Sequence, residues 1–151
     1  MIAGVIIKNI NKYEDERGWL MEVFRSDELD DFKPAMAYVS LTKPGVIRGP
    51  HEHVNQTDAF IFSGPGNFSL HLWDRRDGSL TRDEKMEFEV GAANPCLVIV
   101  PPGVVHAYKC ISEEAAQSIN LPNKLYKGKG KRETVDEIRW ENNLDSPYKI
   151  K

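Results

Sequence analysis

Long apolar runs and cysteine pairs are both scarce in this sequence. No run approaches the ~20 apolar residues that a membrane-spanning helix requires, and the first 18 residues have no basic segment followed by a long apolar one, so neither a membrane helix nor a signal peptide is expected. The only two cysteines, Cys96 and Cys110, lie in apolar stretches and are too far apart for a C-x-x-C site. They are predicted to be buried, reduced thiols, which is typical of a cytoplasmic protein.

The chain also lacks an excess of one charge. Its 20 lysines and arginines against 23 aspartates and glutamates give a formal charge of −3, with both signs mixed along the sequence. No basic stripe is available to neutralise a phosphate backbone, so a nucleic-acid partner is not expected. With 40% apolar and 28% charged residues, the composition is that of a globular protein. The length of 151 residues predicts one domain over residues 1–151.

Helix signals are weak, whereas strand and turn signals recur along the whole chain. Short apolar or alternating segments are separated by turns that contain Gly, Pro, Asn or Asp. Strands are predicted at 4–9, 20–24, 36–42, 59–63, 68–73, 86–90, 97–100, 105–111 and 115–121. Segment 26–32 is predicted to form one or two helical turns with Ser26 as N-cap, and segment 134–143 fits either a helix or a strand. Short strands without intervening amphipathic helices predict an all-β sandwich or closed barrel.

Three of the four histidines lie in two segments that each begin with a tight turn. His51 and His53 are two residues apart, so on a strand they point to the same side, and Asp58 follows five residues later. His106 comes three residues after the turn Pro101–Gly103. Imidazole is both a metal ligand and the side chain best suited to proton transfer near pH 7. The residues therefore leave two chemistries open, acid–base catalysis or binding of one divalent transition-metal ion by His51, His53, Asp58 and His106.

The spacing of these residues resembles the two motifs of cupin barrels. Gly45, His51, His53, Asp58 and Gly64 follow the order of the first motif, although cupins usually have Glu at the position of Asp58. The second motif is matched in its core by Pro101-x-Gly103-x-x-His106. The resemblance implies a cupin double-stranded β-helix, or jelly-roll, barrel with little helix.

A closer resemblance covers nearly the whole chain. It rests on four motifs in order: Asp15-x-Arg17-Gly18-x-x-x-Glu22, Gly45-Val46-Ile47-Arg48-Gly49-Pro50-His51, Pro101-Pro102-Gly103-x-x-His106 and Ile138-Arg139-Trp140. These resemble dTDP-4-dehydrorhamnose 3,5-epimerases. The resemblance implies an isomerase that moves a proton next to the ketone of a dTDP-linked 4-keto-6-deoxyhexose, works as a homodimer and needs no metal.

The same resemblance implies roles for particular residues. His51 corresponds to the catalytic base, and His106 to a histidine that lines the active site. Arg17, Glu22 and Arg48 correspond to residues that bind the sugar nucleotide.

The sequence departs from the family pattern at several functional positions. His53 stands where the family has glutamine and is expected to bind substrate. Either His53 or His106, the latter as a catalytic residue, is expected to donate to the enolate oxygen. The tyrosine that serves as acid in the family has no counterpart near Ile119 or Asn120, and Tyr108 or Tyr126 is the candidate replacement. Leu20 replaces an aromatic residue, a lysine expected near Asp58 is absent, and the family's C-terminal acid, which orients the base, has no counterpart before Lys151.

These departures keep two further functions open. In the first, the four-residue His/His/Asp/His set holds a metal ion in a metal-dependent cupin enzyme. That reading excludes His51 as base, because a ligated imidazole cannot accept a proton. In the second, the chain is a non-catalytic barrel that binds sugar nucleotides through Arg17 and Arg48.

Overall fold

Turns that contain Gly or Pro divide the chain into short β-strands in the computed structural model, which describes residues 1–29 and 31–150. The strands are β1 (Ile6–Asn9), β2 (Lys12–Asp15), β3 (Gly18–Met21), β4 (Tyr38–Thr42), β5 (Ile47–Glu52), β6 (Asp58–Phe62), β7 (Asn67–Asp74), β8 (Lys85–Gly91), β9 (Cys96–Val100), β10 (Val104–Cys110), β11 (Ala116–Asn120) and β12 (Ile138–Arg139). Within the described residues, helix is limited to the 3₁₀ turns Lys129–Lys131 and Trp140–Asn142. None of these is long or apolar enough to cross a membrane.

Ten of the strands form two antiparallel sheets, and the other two form a hairpin. The first sheet has the order β1-β9-β6-β11-β4, the second has the order β12-β5-β10-β7-β8, and β2 pairs with β3. Side chains of both sheets contribute to one buried cluster, so the sheets pack face to face. The prediction of an all-β jelly-roll barrel with little helix is confirmed.

Alternation along the strands separates the core face from the outer face. On β7, Phe68, Leu70 and Leu72 point into the core between the sheets, whereas His71 and Trp73 stack on each other outside it. Phe60 and Phe62 of β6 join the same core from the opposite sheet. Asp58 shares their face of β6, at the end of the strand where the histidines lie.

A second apolar cluster covers the outer face of the first sheet. Leu29 and Phe32 are buried against Ile61 and Ile99, so β6 and β9 are covered on both faces. The helical turns predicted for 26–32 are wrong for the described part of that segment, which forms irregular turns; Asp30 lies outside the described residues. A seven-residue helix gains little by itself, whereas each large apolar side chain that is buried contributes roughly 1.5–3 kcal/mol.

Candidate functional site

Three imidazoles meet where β5 pairs with β10. The register places His106 directly opposite His51, and the centroids of the two rings are 4.4 Å apart. His53 follows the end of β5, with its ring centroid 5.8 Å from each of the other two. The two sequence motifs that carry the histidines thus converge on one cluster.

Gly49 and the backbone of Gly103 bring the two motifs into contact. Gly49 has a φ of +84°, and a Cβ atom there would lie 2.6 Å from the carbonyl oxygen of His106. Glycine is therefore required where β5 crosses β10. The amide of Gly103 donates to the carbonyl of His53 over 2.9 Å, so the Pro101–Gly103 turn is attached directly to the first histidine motif.

Backbone carbonyls orient two of the imidazoles. Nδ1 of His53 contacts the carbonyl oxygen of Asp136, and Nδ1 of His106 lies 3.1 Å from the carbonyl oxygen of Val104. Because a carbonyl can only accept, Nδ1 carries a proton in both rings. Both Nε2 atoms face Oδ2 of Asp58, at 3.0 Å for His53 and 3.5 Å for His106.

Asp58 is the centre of this polar network, with only 1% of its surface exposed. Its Oδ1 accepts hydrogen bonds from Nε2 of Gln56 and from Nδ2 of Asn120, each over 2.9 Å. Oδ2 makes no contact with hydrogen-bond geometry among the described residues, so its contacts with the two imidazoles are electrostatic. Such a carboxylate stays charged only if cations and donors compensate for its burial.

The pKa values of the four groups move in different directions. Burial opposes charge on Asp58, but contacts with His53 and His106 outweigh it and lower the pKa of Asp58 to about 2. Burial likewise opposes charge on His53, yet its contacts with Asp58 and the Asp136 carbonyl raise the pKa of His53 above its usual value. Burial lowers the pKa of His106 to about 4 and the pKa of His51 well below 6.5. His53 and Asp58 therefore form an ion pair below the raised pKa of His53, whereas His51 is a neutral imidazole at neutral pH.

A cavity of about 1050 Å³ opens beside His51 and His53. Its size is near the upper end of small-molecule sites, which occupy roughly 300–1,000 Å³. His106 is buried behind this wall. The segment after β11 also lines the cavity, with residues Lys127, Lys129, Lys131, Asp136 and Glu137.

Glu137 supplies a carboxylate to His51 that the sequence did not reveal. Its Oε1 lies 4.0 Å from Nε2 of His51, while Oε2 pairs with the Arg139 guanidinium over 2.8 Å. The pairing of Arg139 with His51 across β12 and β5 brings Glu137 to the cavity. Glu137 directly precedes the Ile138-Arg139-Trp140 motif, and this proximity was the only signal in the sequence.

The structure places two tyrosines differently from the sequence expectation. Tyr108, the predicted acid, is buried in the aromatic core against Phe60 and Phe62. Its hydroxyl lies 3.2 Å from Oγ of Ser118, and it is not part of the cavity wall. That role is therefore not supported by its position, because a proton donor must reach the substrate. Tyr38 does line the cavity, and no local pattern marked it.

Of the four predicted substrate-binding residues, only His53 lines the cavity of this chain. Arg17 lies at the tip of the β2–β3 hairpin and pairs with Asp15. Glu22 follows the hairpin and contacts Arg25 over 3.4 Å. Arg48 is not among the residues that line the cavity. Its guanidinium donates to Oγ1 of Thr42 and to the carbonyl of Leu41 over 2.8 Å and 3.0 Å.

The same cluster has the donor set of a metal site. Ligand atoms of His51, His53 and His106 all lie within 4.8 Å of one another, and Oδ2 of Asp58 is close to two of them. Three imidazoles and a carboxylate suit a divalent transition-metal ion. A metal ion and a free His51 base would compete for the same imidazole.

Comparison with protein families gives one match over most of the chain. The family model described as dTDP-4-dehydrorhamnose 3,5-epimerase matches residues 1–144. The probable low-salt glycan biosynthesis epimerase Agl13 of Haloferax volcanii is 36% identical over 128 residues, which is 83% of this chain and 81% of that protein. The spore coat polysaccharide biosynthesis protein SpsL of Bacillus subtilis is 37% identical over 115 residues, or 75% of this chain and 74% of that protein.

Solved structures share the fold at lower sequence identity. A dTDP sugar isomerase from Desulfovibrio desulfuricans superposes with a TM-score of 0.84 at 19% identity, and the match covers 98% of this chain and 91% of that chain. The 3'-monoepimerase ChmJ of Streptomyces bikiniensis, solved with dTDP-quinovose, has a TM-score of 0.79 at 20% identity, with coverage of 99% and 78%.

Proposed function

The chain belongs to the dTDP-4-dehydrorhamnose 3,5-epimerase family, and we propose that this sugar-nucleotide epimerase acts on a dTDP-linked 4-keto-6-deoxyhexose. The observation that carries the proposal is His51, a neutral imidazole on the wall of a cavity of suitable size. Family membership does not favour the metal-dependent cupin enzyme or the non-catalytic barrel. The names of the two relatives indicate that the product serves polysaccharide biosynthesis.

Each side chain around His51 has a defined part in the proposed reaction. His51 removes a proton from the carbon next to the ketone, which leaves an imidazolium and an enolate. The Glu137 carboxylate, 4.0 Å from His51, stabilises the imidazolium. His53 lies on the same cavity wall, and because Asp58 and Asp136 already hold its ring, little reorganisation is needed there during the reaction.

The basic loop after β11 suits the diphosphate of such a substrate. Lys127, Lys129 and Lys131 line the same cavity as His51 and His53. Lysine binds phosphate as a mobile point charge. A nucleotide diphosphate on this loop would direct the attached sugar towards His51.

We expect the reaction to proceed without a metal ion or other cofactor. The test is incubation of the protein with dTDP-4-keto-6-deoxyglucose in D₂O after dialysis against a chelator. Nuclear magnetic resonance should show deuterium at C3, C5 or both, because His51 exchanges its proton with solvent. Added Zn²⁺ should inhibit exchange, because a ligated His51 cannot act as base. Absence of exchange with and without metal would contradict the epimerase, and exchange that requires added metal would contradict the cofactor-free reaction.

We further propose that the protein is a homodimer. Arg17 and Glu22 do not reach the cavity of their own chain, and the same hairpin exposes the large apolar side chains of Tyr13, Trp19 and Leu20. Exposed apolar groups of this kind are typical of interaction surfaces. Light scattering should give twice the mass of the 17.2 kDa chain, and the variant Trp19→Glu/Leu20→Glu should shift it towards the monomer. A monomeric wild-type protein would contradict this assembly.

We assign the protein to the cytoplasm. Cys96 and Cys110 are both buried and unpaired, which agrees with a reducing compartment.

A further inference from the structure

Inversion at carbon requires a second proton donor besides His51. The base removes the proton from one face of the sugar ring, and a new proton must arrive on the other face. If only the His51 imidazolium returned the proton, it would reach the original face and restore the original configuration. The donor must therefore be a different group on the cavity wall, and among the phenols of the described residues Tyr38 and Tyr126 line it.

The hydroxyl of Tyr38 is held by a side chain of the site. Nδ2 of Asn120 donates to this hydroxyl over 2.8 Å and to Oδ1 of Asp58 over 2.9 Å. Asn120 is buried on β11, and the pairing of β4 with β11 places Tyr38 opposite it. The side-chain amide of Asn120 thus links the hydroxyl of Tyr38 to the carboxylate of Asp58.

The direction of this hydrogen bond determines what the phenol can do. Because the amide can only donate, the oxygen of Tyr38 accepts, and its own hydrogen has no acceptor among residues 1–29 and 31–150. Residue Tyr38 is 44% exposed and lines the cavity. By contrast, the ring of Tyr126 lies at the loop, 5.7 Å from Nζ of Lys127, and nothing in the described network orients its hydroxyl.

We infer that Tyr38 is the catalytic acid that delivers the proton to the face of the sugar opposite His51. This inference rests on the proposed epimerase function. In the step, the O–H bond of Tyr38 breaks and a C–H bond forms at the carbon next to the ketone, while the enolate electron pair makes the new bond. The amide of Asn120 stabilises the resulting phenolate. Solvent water returns the proton to Tyr38 and removes the one held by His51, so the substrate changes only in configuration.

The phenol reaches the site from a different strand than the family pattern suggests. Sequence comparison expects the acid near Ile119 or Asn120 on β11, whereas Tyr38 comes from the neighbouring strand β4. Asn120, one of the two residues near which a tyrosine is expected, holds the hydroxyl of Tyr38 by a hydrogen bond instead.

The variant Tyr38→Phe separates proton removal from inversion. We expect the epimerised product to form about 100-fold more slowly, the range for loss of one acid–base group. Uptake of deuterium from D₂O into the unreacted configuration should continue, because His51 still removes the proton and returns a solvent deuteron to the same face. A variant that had lost only structure would lose both processes together.

Two matched variants and one subtle replacement complete the test. Tyr126→Phe and Tyr108→Phe should keep the wild-type ratio of exchange to inversion. Replacing Tyr38 with 3-fluorotyrosine, which preserves the shape but makes the phenol more acidic, should move the alkaline limit of inversion to lower pH. The inference is overturned if Tyr38→Phe inverts the substrate at close to the wild-type rate, or if Tyr126→Phe shows the selective loss instead. Failure of the epimerase proposal itself would look different, because the wild-type protein would then show no exchange.

Discussion

Replacing His51 with asparagine is expected to abolish deuterium exchange and epimerisation while leaving nucleotide binding almost unchanged. Asparagine is polar and fits the space of the imidazole, but it cannot accept a proton at neutral pH. Loss of a general base costs roughly 10²–10⁴-fold in rate, and we expect about 10³-fold here. Turnover measured by product formation and dTDP affinity measured by calorimetry would separate the two effects. A variant that kept more than about a tenth of the wild-type rate would contradict the assignment.

The remaining histidine of the chain provides the matched control. His71 lies on the outer face of the second sheet, where its ring stacks on Trp73 with 5.8 Å between the centroids and its Nε2 lies 2.9 Å from Oγ of Ser69. His71→Asn should therefore keep the wild-type turnover.

The pH profile gives a second check on His51. Because burial and the neighbouring imidazoles lower the pKa of His51, the active deprotonated form persists below pH 6.5. The rate constant kcat/KM should stay level as the pH falls through 6.5 and decrease only in more acidic solution.

The variant Asp58→Ala is expected to show the largest loss of stability. It removes the carboxylate that is paired with the buried His53 and leaves the amides of Gln56 and Asn120 without their acceptor. Removal of one partner from a buried ion pair costs about 3–5 kcal/mol. For a domain of this length the melting temperature should then fall by roughly 10 °C. Differential scanning calorimetry at pH 7 provides the measurement.

Asp58→Asn is the control that separates charge from hydrogen bonding. Its carbonyl oxygen can still accept from Gln56 and Asn120, so it should lose much less stability than Asp58→Ala.

The effect of pH on the stability that the ion pair contributes has a definite sign. Because the pKa of His53 is raised in the wild-type fold, the protonated ring stabilises the protein below pH 6.5, and this contribution disappears as the pH rises through the raised pKa. The difference in melting temperature between the wild type and Asp58→Ala should therefore grow from pH 8 to pH 5.5. Equal melting temperatures at all pH values would show that the ion pair does not contribute to stability.

The all-β architecture could be predicted from the sequence because its signals are local. Alternation on β7 separates Phe68 from His71, and turns with Gly or Pro bound most of the strands, so each element is specified within a few residues. The segment 26–32 could not be predicted this way. Leu29 and Phe32 follow neither a helical nor a strand pattern, and they are ordered only because the outer face of the first sheet is available to bury them.

The residues of the candidate site also differ in whether the sequence could identify them. His51, His53 and His106 were recognisable because each lies in a motif of fixed spacing. Tyr38 and Glu137 were not, since neither belongs to such a motif and each reaches the cavity only through strand pairing, of β4 with β11 and of β12 with β5. The position of the Tyr108 side chain could not be predicted for the same reason. Its closeness in sequence to His106 suggested a catalytic role, but its side chain points into the core.

The sequence by itself determined the fold class and the family, and it pointed to His51 as the proposed base, because short-range periodicity and motif spacing are properties of the chain before it folds. Only the tertiary structure decided which carboxylate accompanies each imidazole and which phenol faces the cavity. In the sequence, Asp58 is five residues from His53, Tyr38 is 13 residues from His51, and Glu137 is 86 residues from His51. Contacts over such separations depend on the register between strands, and register is fixed by burial of the whole core rather than by any local pattern.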